Sequence, residues 1–262
     1  MAESPESIVS FRGVRKSFGE KSILDGMDLD VREGETLTIV GGSGTGKSVT
    51  LKLLMRLLQM DAGEVHAFGR SITDLSAQEL LNLRRRIGML FQGAALFDSL
   101  TVKQNICYPL VEHDWGTPAE RTDRVAEVLE MVGMPGIEEL RPPELSGGMK
   151  KRVGLARAIA VEPDIILYDE PTTGLDPINV RRINGLILQL QEQLDVTSIV
   201  VTHDMESCFT VTDRIAFLYD RKIAWVGPRE EAANSGHAVL ERFIQGGRGI
   251  LEPEEIAVLD QV

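Results

Sequence analysis

A glycine-rich segment directly after a short apolar run constrains the fold of this chain more than any other feature. The run Thr36–Val40 leads into Gly-Gly-Ser-Gly-Thr-Gly-Lys-Ser at positions 41–48. A helix is expected from about Lys47 to Leu58, because leucine and valine recur through this segment. Strand, loop and helix in this order, with the spacing G-x-x-x-x-G-K-[ST], predict a phosphate-binding loop. In such a loop the backbone N–H groups close on the phosphates, and the following helix directs its N-terminus at the same anion.

The residues of this loop have distinct expected roles. Lys47 is expected to reach the β- and γ-phosphates, and the hydroxyl of Ser48 to ligate Mg²⁺. The alternative is a glycine-rich turn with a solvated lysine, but a chance match to the motif in a chain of this composition arises about once in a hundred. The predicted nucleotide-binding residues here are Gly41, Gly42, Ser43, Gly44, Thr45, Gly46, Lys47 and Ser48.

A second chemical feature is an apolar strand that ends in two carboxylates. The predicted strand Asp164–Tyr168 is followed by Asp169 and Glu170. By itself, such a strand is common and needs no function beyond solvated acids. Asp169 is nevertheless expected at the carboxyl edge of a parallel sheet, where ligands of open α/β folds bind. Together with a phosphate loop, Asp169 is expected to hold Mg²⁺, and Glu170 to orient or deprotonate the attacking water.

Alternation of strands and helices predicts an α/β fold with a largely parallel sheet. Short β-type runs open the chain, and helices and strands alternate again after about residue 145. The stretch 96–145 between them is expected to be helical. Before it, Ser76 and Glu79 fit a capping box at a helix start. Within it, Thr117 and Glu120 fit a second capping box, and Gly133 fits a helix stop. This stretch is the candidate inserted subdomain.

Charge and composition exclude several classes of protein. The chain has 40 acidic and 28 basic residues, a net charge of −12 that would repel nucleic acid. No nucleic-acid binding is therefore expected. Cys107 and Cys208 fit no C-x-x-C spacing and are expected to be buried thiols of a reduced, cytoplasmic protein. The acidic start fits no signal peptide, and stretches free of charge reach only eleven residues, too few for a membrane span.

A third motif, Leu145-Ser146-Gly147-Gly148-Met149, lies between the first two and opens a predicted helix. A helix N-terminus with a serine hydroxyl and two glycines can form a second anion site, although Ser-Gly-Gly alone is more often a capping turn. The order of the three motifs favours the anion site. With them the sequence resembles the ATP-binding cassette (ABC) ATPases, whose signature begins LSGG and usually continues with glutamine. The resemblance covers roughly residues 6–245.

The resemblance implies roles for further residues. Phe18 matches the aromatic residue that stacks on adenine, where tyrosine is commoner, and Gln92 matches the glutamine that touches Mg²⁺ and water and senses the membrane domain. Asp176 matches the aspartate that crosses the dimer interface, and His203 the histidine that contacts the γ-phosphate. The implied catalytic residues are Glu170, His203 and Gln92, the implied metal ligands are Ser48, Gln92 and Asp169, and the implied nucleotide contacts outside the loop are Phe18, Ser146, Gly147, Gly148 and Asp176.

The resemblance also implies the fold class and the domain boundaries. The expected fold is α/β, a P-loop NTPase (RecA-like) with a mostly parallel core, an N-terminal antiparallel β subdomain and an inserted helical subdomain. The ATPase domain is expected at 6–245, with the core at about 6–95 and 146–245 and the helical subdomain at about 96–145. The tail, 246–262, carries Ile256, Leu259 and Val262 at every third position after Pro253. This spacing predicts a short helix that docks on a partner, and the alternative is a frayed, solvated terminus.

A finer resemblance, to the ATPase of Mla-type, Mce-associated phospholipid transporters, rests on Met149, on the stretch 88–102 and on Tyr108-Pro109-Leu110. It implies a homodimer that uses ATP and Mg²⁺ on two permease subunits at the inner face of the cytoplasmic membrane, with an Mce-domain lipid-binding protein and a STAS-domain protein. Leu96, Phe97 and Leu100 are expected to form the groove for a permease helix.

Other functions stay open at this point. One is the ATPase of a polar amino-acid or other small-solute importer, which has the same chemistry. Another is a non-transport ABC regulator of translation or DNA repair, but such proteins usually carry two cassettes, or a long coiled coil and a basic surface. A plain phosphate-loop kinase would have no need for Ser146-Gly147-Gly148 or His203.

Overall fold

The structure is a computed structural model that describes residues 7–246. These residues form two compact units, one of residues 7–75 and 199–246 and the other of residues 76–198. The helix predicted in the tail, together with all residues after Gly246, lies outside the described residues.

Strands and helices alternate along most of the described chain. The strands are β1 (Ser7–Phe18), β2 (Lys21–Arg32), β3 (Thr36–Val40), β4 (Ala62–Ala67), β5 (Arg70–Ser71), β6 (Ile87–Leu90), β7 (Ile165–Asp169), β8 (Thr197–Thr202), β9 (Arg214–Tyr219) and β10 (Lys222–Pro228). The α-helices are α1 (Lys47–Leu54), α2 (Ala77–Arg85), α3 (Val102–Glu112), α4 (Pro118–Met131), α5 (Gly147–Ile159), α6 (Pro177–Leu194), α7 (Met205–Val211) and α8 (Ala238–Gly246). Each of these helices is too short or too polar to cross a lipid bilayer.

The first unit contains an antiparallel sheet in the order β2-β1-β4-β5. It also contains the parallel pair β3 and β9, with β10 antiparallel to β9. Every residue of β3 is buried, including the polar Thr36 and Thr38, as is usual for a strand inside a parallel sheet. Helices α7 and α8 cover β9, where Cys208, Phe217, Leu240 and Ile244 share one apolar cluster.

Polar contacts fix the start of β3 against the start of β9. The N–H of Thr36 donates to a carboxylate oxygen of Asp213 (2.8 Å), and the N–H of Asp213 donates to the carbonyl of Thr36 (2.9 Å). Next to them, the Arg214 guanidinium contacts both carboxylate oxygens of Glu35, at 2.7 and 2.9 Å. These contacts set the register of β3, from whose other end the glycine-rich loop (residues 41–46) emerges.

Helix α1 is shorter than its sequence predicts. It ends at Leu54, because Arg56 adopts the left-handed conformation (φ 50°) and the N–H of Leu57 turns back to the carbonyl of Lys52 (2.8 Å). The Arg56 guanidinium donates to the carbonyl of Leu75 (2.7 Å), which holds this turn. The prediction of helix from Met55 to Leu58 was therefore wrong: the side chain of Arg56 has a partner distant in sequence, which apolar periodicity does not reveal.

The second unit contains the parallel pair β6 and β7 and the helices α2 to α6. The capping boxes predicted at Ser76 and Thr117 are confirmed at the starts of α2 and α4. A third, at Thr101 and Gln104, begins α3. Between residues 96 and 145 the structure has α3, α4 and a short 3-10 turn, so the helical character predicted for this stretch is confirmed.

Both cysteines are free thiols, as predicted, but their burial differs. Cys208 is buried, and burial raises the pKa of its thiol to about 12. Cys107 is only half-buried, on α3. The expectation that both are core residues therefore holds for Cys208 alone.

The Glu35–Arg214 pair gives a test of how the start of β3 is held. Both side chains are largely buried, at 9% and 14% exposed, so Glu35→Gln would leave a buried guanidinium without its counter-charge. We expect the free energy of unfolding to fall by about 3–5 kcal/mol, measured by urea denaturation. The control is Asp25→Asn, which breaks the exposed pair Arg15–Asp25 (63% and 42% exposed) and should cost less than about 1 kcal/mol. Equal losses in the two variants would contradict a structural role for the buried pair.

Candidate functional site

In the first unit, the lysine of the predicted phosphate loop is fixed over that loop. The buried Lys47 side chain turns back so that Nζ donates to the carbonyl oxygens of Gly41 and Gly42, both at 2.8 Å. The hydroxyl of Thr45 also donates to the carbonyl of Gly42 (3.0 Å). The side chains of Lys47 and Thr45 therefore hold the loop in one conformation, and the ammonium group of Lys47 has a fixed position.

The helix that follows is open to an anion at its N-terminus. Gly46 precedes it with φ 109°, and a Cβ there would lie 2.7 Å from Cγ2 of Ile23, so no other residue fits this position. The first turn of α1 contains no acidic residue. The partial positive charge of the helix end is thus not neutralised by the helix itself, which suits phosphate binding.

A pocket of about 300 Å³ borders the glycine-rich loop. Three segments of the first unit form its wall, and the lining residues are Lys21, Ser22, Ile23, Ser43, Gly44, Thr45, Tyr219, Asp220 and Arg221. Its volume lies at the lower end of small-molecule sites. Phe18, predicted to stack on adenine, is not among the lining residues.

Phe18 ends β1 with an exposed ring. Nζ of Lys16 lies 5.3 Å from the ring centroid, at cation–π distance, and also donates to the carboxylate of Asp61 (2.9 Å). Hydrogen bonds from Lys16 and from the N–H of Ser17 hold the pKa of Asp61 below its usual range. Asp61 therefore stays ionised and keeps Lys16 beside the ring.

His203 follows β8 and is exposed in the first unit. The turn after it is fixed, because the hydroxyl of Thr202 accepts from the N–H of Asp204 (3.0 Å). Asp204 in turn caps α7 by accepting from the N–H of Glu206 (3.0 Å).

In the second unit, the two predicted carboxylates are both buried. Asp169 is the last residue of β7, and Glu170 follows it with φ 49°, a left-handed conformation that is rare for a residue other than glycine. The hydroxyl of Thr173 donates to Oε2 of Glu170 (3.0 Å), and Nζ of Lys151 on α5 donates to its carbonyl oxygen (2.9 Å). Glu170 is therefore held at both its carboxylate and its backbone.

The predicted signature motif and the predicted aspartate loop pack on each other within the second unit. Ser146 caps α5 by accepting from the N–H of Met149 (3.3 Å). Gly148 lies against Asn179, and a Cβ on it would approach Oδ1 of Asn179 to 2.8 Å. Asp176 caps α6, and hydrogen bonds from the side chain and then the backbone of Asn179 lower the pKa of Asp176. Asn179 therefore joins Gly148 to Asp176.

Gln92 lies two residues after β6 and is exposed. The loop after it (residues 93–101) is held by Asn105 and Arg157, neither of which was predicted from the sequence. Asn105 is completely buried; its Oδ1 accepts from the N–H of Phe97 (2.8 Å), and its Nδ2 lies 3.0–3.2 Å from the carbonyl oxygens of three loop residues. Arg157 of α5 donates to the carbonyls of Ala94 (2.8 Å) and Ala95 (2.7 Å).

This loop presents part of an exposed apolar patch, which consists of Phe97, Tyr108 and Val111. Their exposures are 45%, 49% and 52%, and the rings of Phe97 and Tyr108 lie 5.1 Å apart, centroid to centroid. Of the three residues predicted to form a groove, Phe97 is exposed, whereas Leu96 and Leu100 are half-buried. Tyr108 was noted only as part of the finer resemblance, and no pattern singled out Val111.

The site residues have the chemistry needed to bind a nucleotide phosphate and Mg²⁺, the two ligands that the sequence predicts. The first unit offers a fixed ammonium group and an open helix end, which suit a nucleotide phosphate. Ser48, Asp169 and Gln92 carry hydroxyl, carboxylate and amide oxygens, the donor types that Mg²⁺ takes together with water and substrate phosphates. Within residues 7–246, no group of three or more His, Cys, Asp or Glu side chains could hold a metal ion without such additional ligands.

Comparison with known proteins agrees with this chemistry. Residues 24–173 match the family model described as ABC transporter. The probable ribonucleotide transport ATP-binding protein Mkl of Mycobacterium leprae is 41% identical over 92% of this chain and 69% of its own length. The intermembrane phospholipid transport system ATP-binding protein MlaF of Haemophilus influenzae is 38% identical over 92% of this chain and 91% of its own length.

A solved structure gives the same fold. It is a dimeric ATP-binding cassette in a post-hydrolysis state bound to ADP and Pi, with TM-score 0.77 and 34% identity, and the alignment covers 84% of this chain and 98% of that chain. The predicted P-loop NTPase fold, with a parallel core, an antiparallel sheet and helices, is thereby confirmed. The chain belongs to the ABC transporter family and is one of its ATP-binding cassettes.

Proposed function

We propose that this protein hydrolyses ATP to power a transporter that moves phospholipid between membranes, of the Mla/Mce type. The observation that carries the ATPase part is the buried Glu170, held at its carboxylate by Thr173 and at its backbone by Lys151. The phospholipid part is supported by the similarity to MlaF, which extends over about nine-tenths of both chains.

The proposed reaction assigns one role in ATP hydrolysis to each of the predicted site residues. Lys47 and the backbone of the glycine-rich loop bind the β- and γ-phosphates, and the exposed ring of Phe18 stacks on adenine. Ser48, Asp169 and Gln92 would hold Mg²⁺, which would supply charge neutralisation at the phosphates. Glu170 accepts a proton from the attacking water and His203 contacts the γ-phosphate, so that the bond to the leaving ADP breaks as the water oxygen adds.

The same proposal requires a second copy of the chain. Ser146, Gly147 and Gly148 are assigned to the γ-phosphate bound by the other subunit, and Asp176 to the interface between subunits. The solved cassette described above is dimeric, which supports this arrangement. The proposed further partners are two permease subunits, an Mce-domain lipid-binding protein and a STAS-domain protein, which would place the chain at the inner face of the cytoplasmic membrane.

Import of a small solute is a second candidate function, favoured by the name of the mycobacterial relative, which speaks of ribonucleotide transport. The two candidates differ in the molecule carried, not in the ATPase chemistry. Mass spectrometry of the complex purified with its permease distinguishes them. Co-purified phospholipid would support the lipid function, and a bound nucleotide beyond the ATP sites would support the alternative.

Glu170→Gln should retain ATP binding and lower the rate of phosphate release by about 10²–10⁴-fold, because the amide cannot accept the proton of water. The dimer should then persist with ATP bound, as seen by gel filtration. The matched control is Glu162→Gln, since Glu162 also has a positive φ (56°) in the same unit but is exposed. Parental hydrolysis in the Glu170 variant would mean that Glu170 is not the catalytic carboxylate.

We assign the exposed apolar patch of Phe97, Tyr108 and Val111 to docking of the permease. Phe97→Asp should then release the subunit from its permease, because it puts a charge into that patch. We expect recovery with the permease in pull-down to drop about tenfold or more, with unchanged ATP affinity. Leu188→Asp is the control, as Leu188 is also exposed in the second unit (40%) but lies on α6, outside the apolar patch. Full recovery of the Phe97 variant would rule out this surface.

Phe18→Ala should raise the Kd for ATP about 2- to 10-fold, the range expected when one aromatic stacking contact is lost. Phe18→Tyr should bind ATP like the parent, because a phenol ring offers the same face. Titration with a fluorescent ATP analogue measures both. An unchanged Kd in the alanine variant would remove Phe18 from the adenine site.

A further inference from the structure

Lys151 has no role in the function proposed so far, although it contacts the residue on which hydrolysis depends. It lies on α5, five residues after Ser146, and its side chain is buried. Nζ donates to the carbonyl oxygen of Glu170 at 2.9 Å. Burial lowers the pKa of Lys151, and the negative charges of Asp169 and Glu170 oppose that shift. A buried ammonium group is costly to keep in a fold, so its single carbonyl contact calls for an explanation.

The backbone of Glu170 needs such a contact. Its φ of 49° is unfavourable for a residue with a Cβ relative to the right-handed conformation, and it persists only where the surroundings enforce it. Pro171 follows, so the next position offers no N–H that could hold the turn. The N–H of Thr173 reaches the Glu170 carbonyl only at 3.4 Å, whereas Lys151 provides a shorter, charge-assisted hydrogen bond.

The contacts from Lys151 and Thr173 hold different parts of Glu170. Lys151 holds the backbone, and the Thr173 hydroxyl holds Oε2. Rotation of the carboxylate about the side chain would break the bond from Thr173, and a shift of the Glu170 backbone, which carries the carboxylate with it, would break the bond from Lys151. Because α5 is continuous from Gly147 to Ile159, the Lys151 side chain extends from the same helix that begins at the signature motif.

We propose that Lys151 is a positioning residue for Glu170, anchoring its backbone to the signature helix so that the carboxylate points at the attacking water. This rests on the proposed function of Glu170 in hydrolysis. Lys151 itself touches neither substrate nor reacting atoms. Its removal therefore affects the rate of the chemical step and leaves unchanged the binding of ATP by Lys47 and the glycine-rich loop.

The test is Lys151→Met in the full chain, with Lys150→Met as the matched control. Lys150 is the preceding residue on the same helix, and the substitution removes the same charge. We expect kcat for ATP hydrolysis to fall about 10- to 100-fold in Lys151→Met, the effect of misplacing a reacting group by about 1 Å. KM and the Kd for ATP should stay within about twofold, and the control should match the parent. Lys151→Arg, which keeps a charged donor, should recover most of the rate.

A double variant separates positioning from a merely structural role. In the Glu170→Gln background, Lys151→Met should cause no further loss in single-turnover hydrolysis, because the group that Lys151 positions is already gone. A further loss of equal size there, or a rise in KM together with the loss in kcat, would overturn the proposal. Where Lys151→Met does not fold, Lys151→Gln replaces it and should show the same kcat defect.

The outcomes also separate this proposal from the one on which it rests. Parental hydrolysis in Glu170→Gln would refute the role of Glu170 itself. A slow Glu170→Gln variant with parental hydrolysis in Lys151→Met would refute only the positioning role of Lys151.

Discussion

Hydrogen bonds from cationic side chains to backbone carbonyls hold three loops of the proposed site. A loop that leaves a buried strand carries carbonyl groups without strand partners, and such groups are costly when they stay unsatisfied. Lys47 satisfies the carbonyls of Gly41 and Gly42, and Lys151 that of Glu170. Arg157 does the same for Ala94 and Ala95. These bonds fix the loop backbones, and the chemistry proposed for the loops depends on that fixed geometry.

In the second unit, helix α5 carries the cationic side chains that donate hydrogen bonds to loop carbonyls. Lys151, Arg152 and Arg157 project from it to three separate loops, with Arg152 donating to the carbonyl of Gly133 (3.1 Å). Its own C-terminal carbonyls are satisfied by buried Arg124, which donates to Ile159 (3.1 Å) and Ala160 (3.0 Å), a favourable position for a cation at a helix end. Lys151 and Arg157 are six residues apart, about 9 Å along the axis. One rigid element therefore carries both the loop of Glu170 and the loop that bears Phe97.

Sequence reasoning recovered the parts of this arrangement that depend on local spacing. The glycine-rich loop between β3 and α1, the carboxylates at the end of β7 and the capping boxes at Ser76 and Thr117 follow from residues a few positions apart. The contacts of Asn105, Asn179 and Arg157 were not predicted. Asn105 bonds loop residues only 4–8 positions away, but no motif marks that spacing. Asn179 bonds Asp176 at the start of its own helix and packs on Gly148 of α5, and Arg157 reaches carbonyls 62 and 63 positions away, so these contacts depend on the folded chain. The early end of α1 escaped prediction for the same reason, since the partner of Arg56 is 19 residues away.

The distribution of charge explains how an acidic chain can offer sites for an anion. A net charge of −12 acts at long range, but it is screened beyond about 8 Å at physiological ionic strength. At short range, the groups in contact with a phosphate determine whether it binds. The first turns of both α1 and α5 contain no acidic residue, Lys47 lies over the loop before α1, and a serine hydroxyl caps α5. Net charge therefore disfavours an extended polyanion such as nucleic acid, whereas a single nucleotide phosphate responds to the positive helix ends and the ammonium group within contact distance.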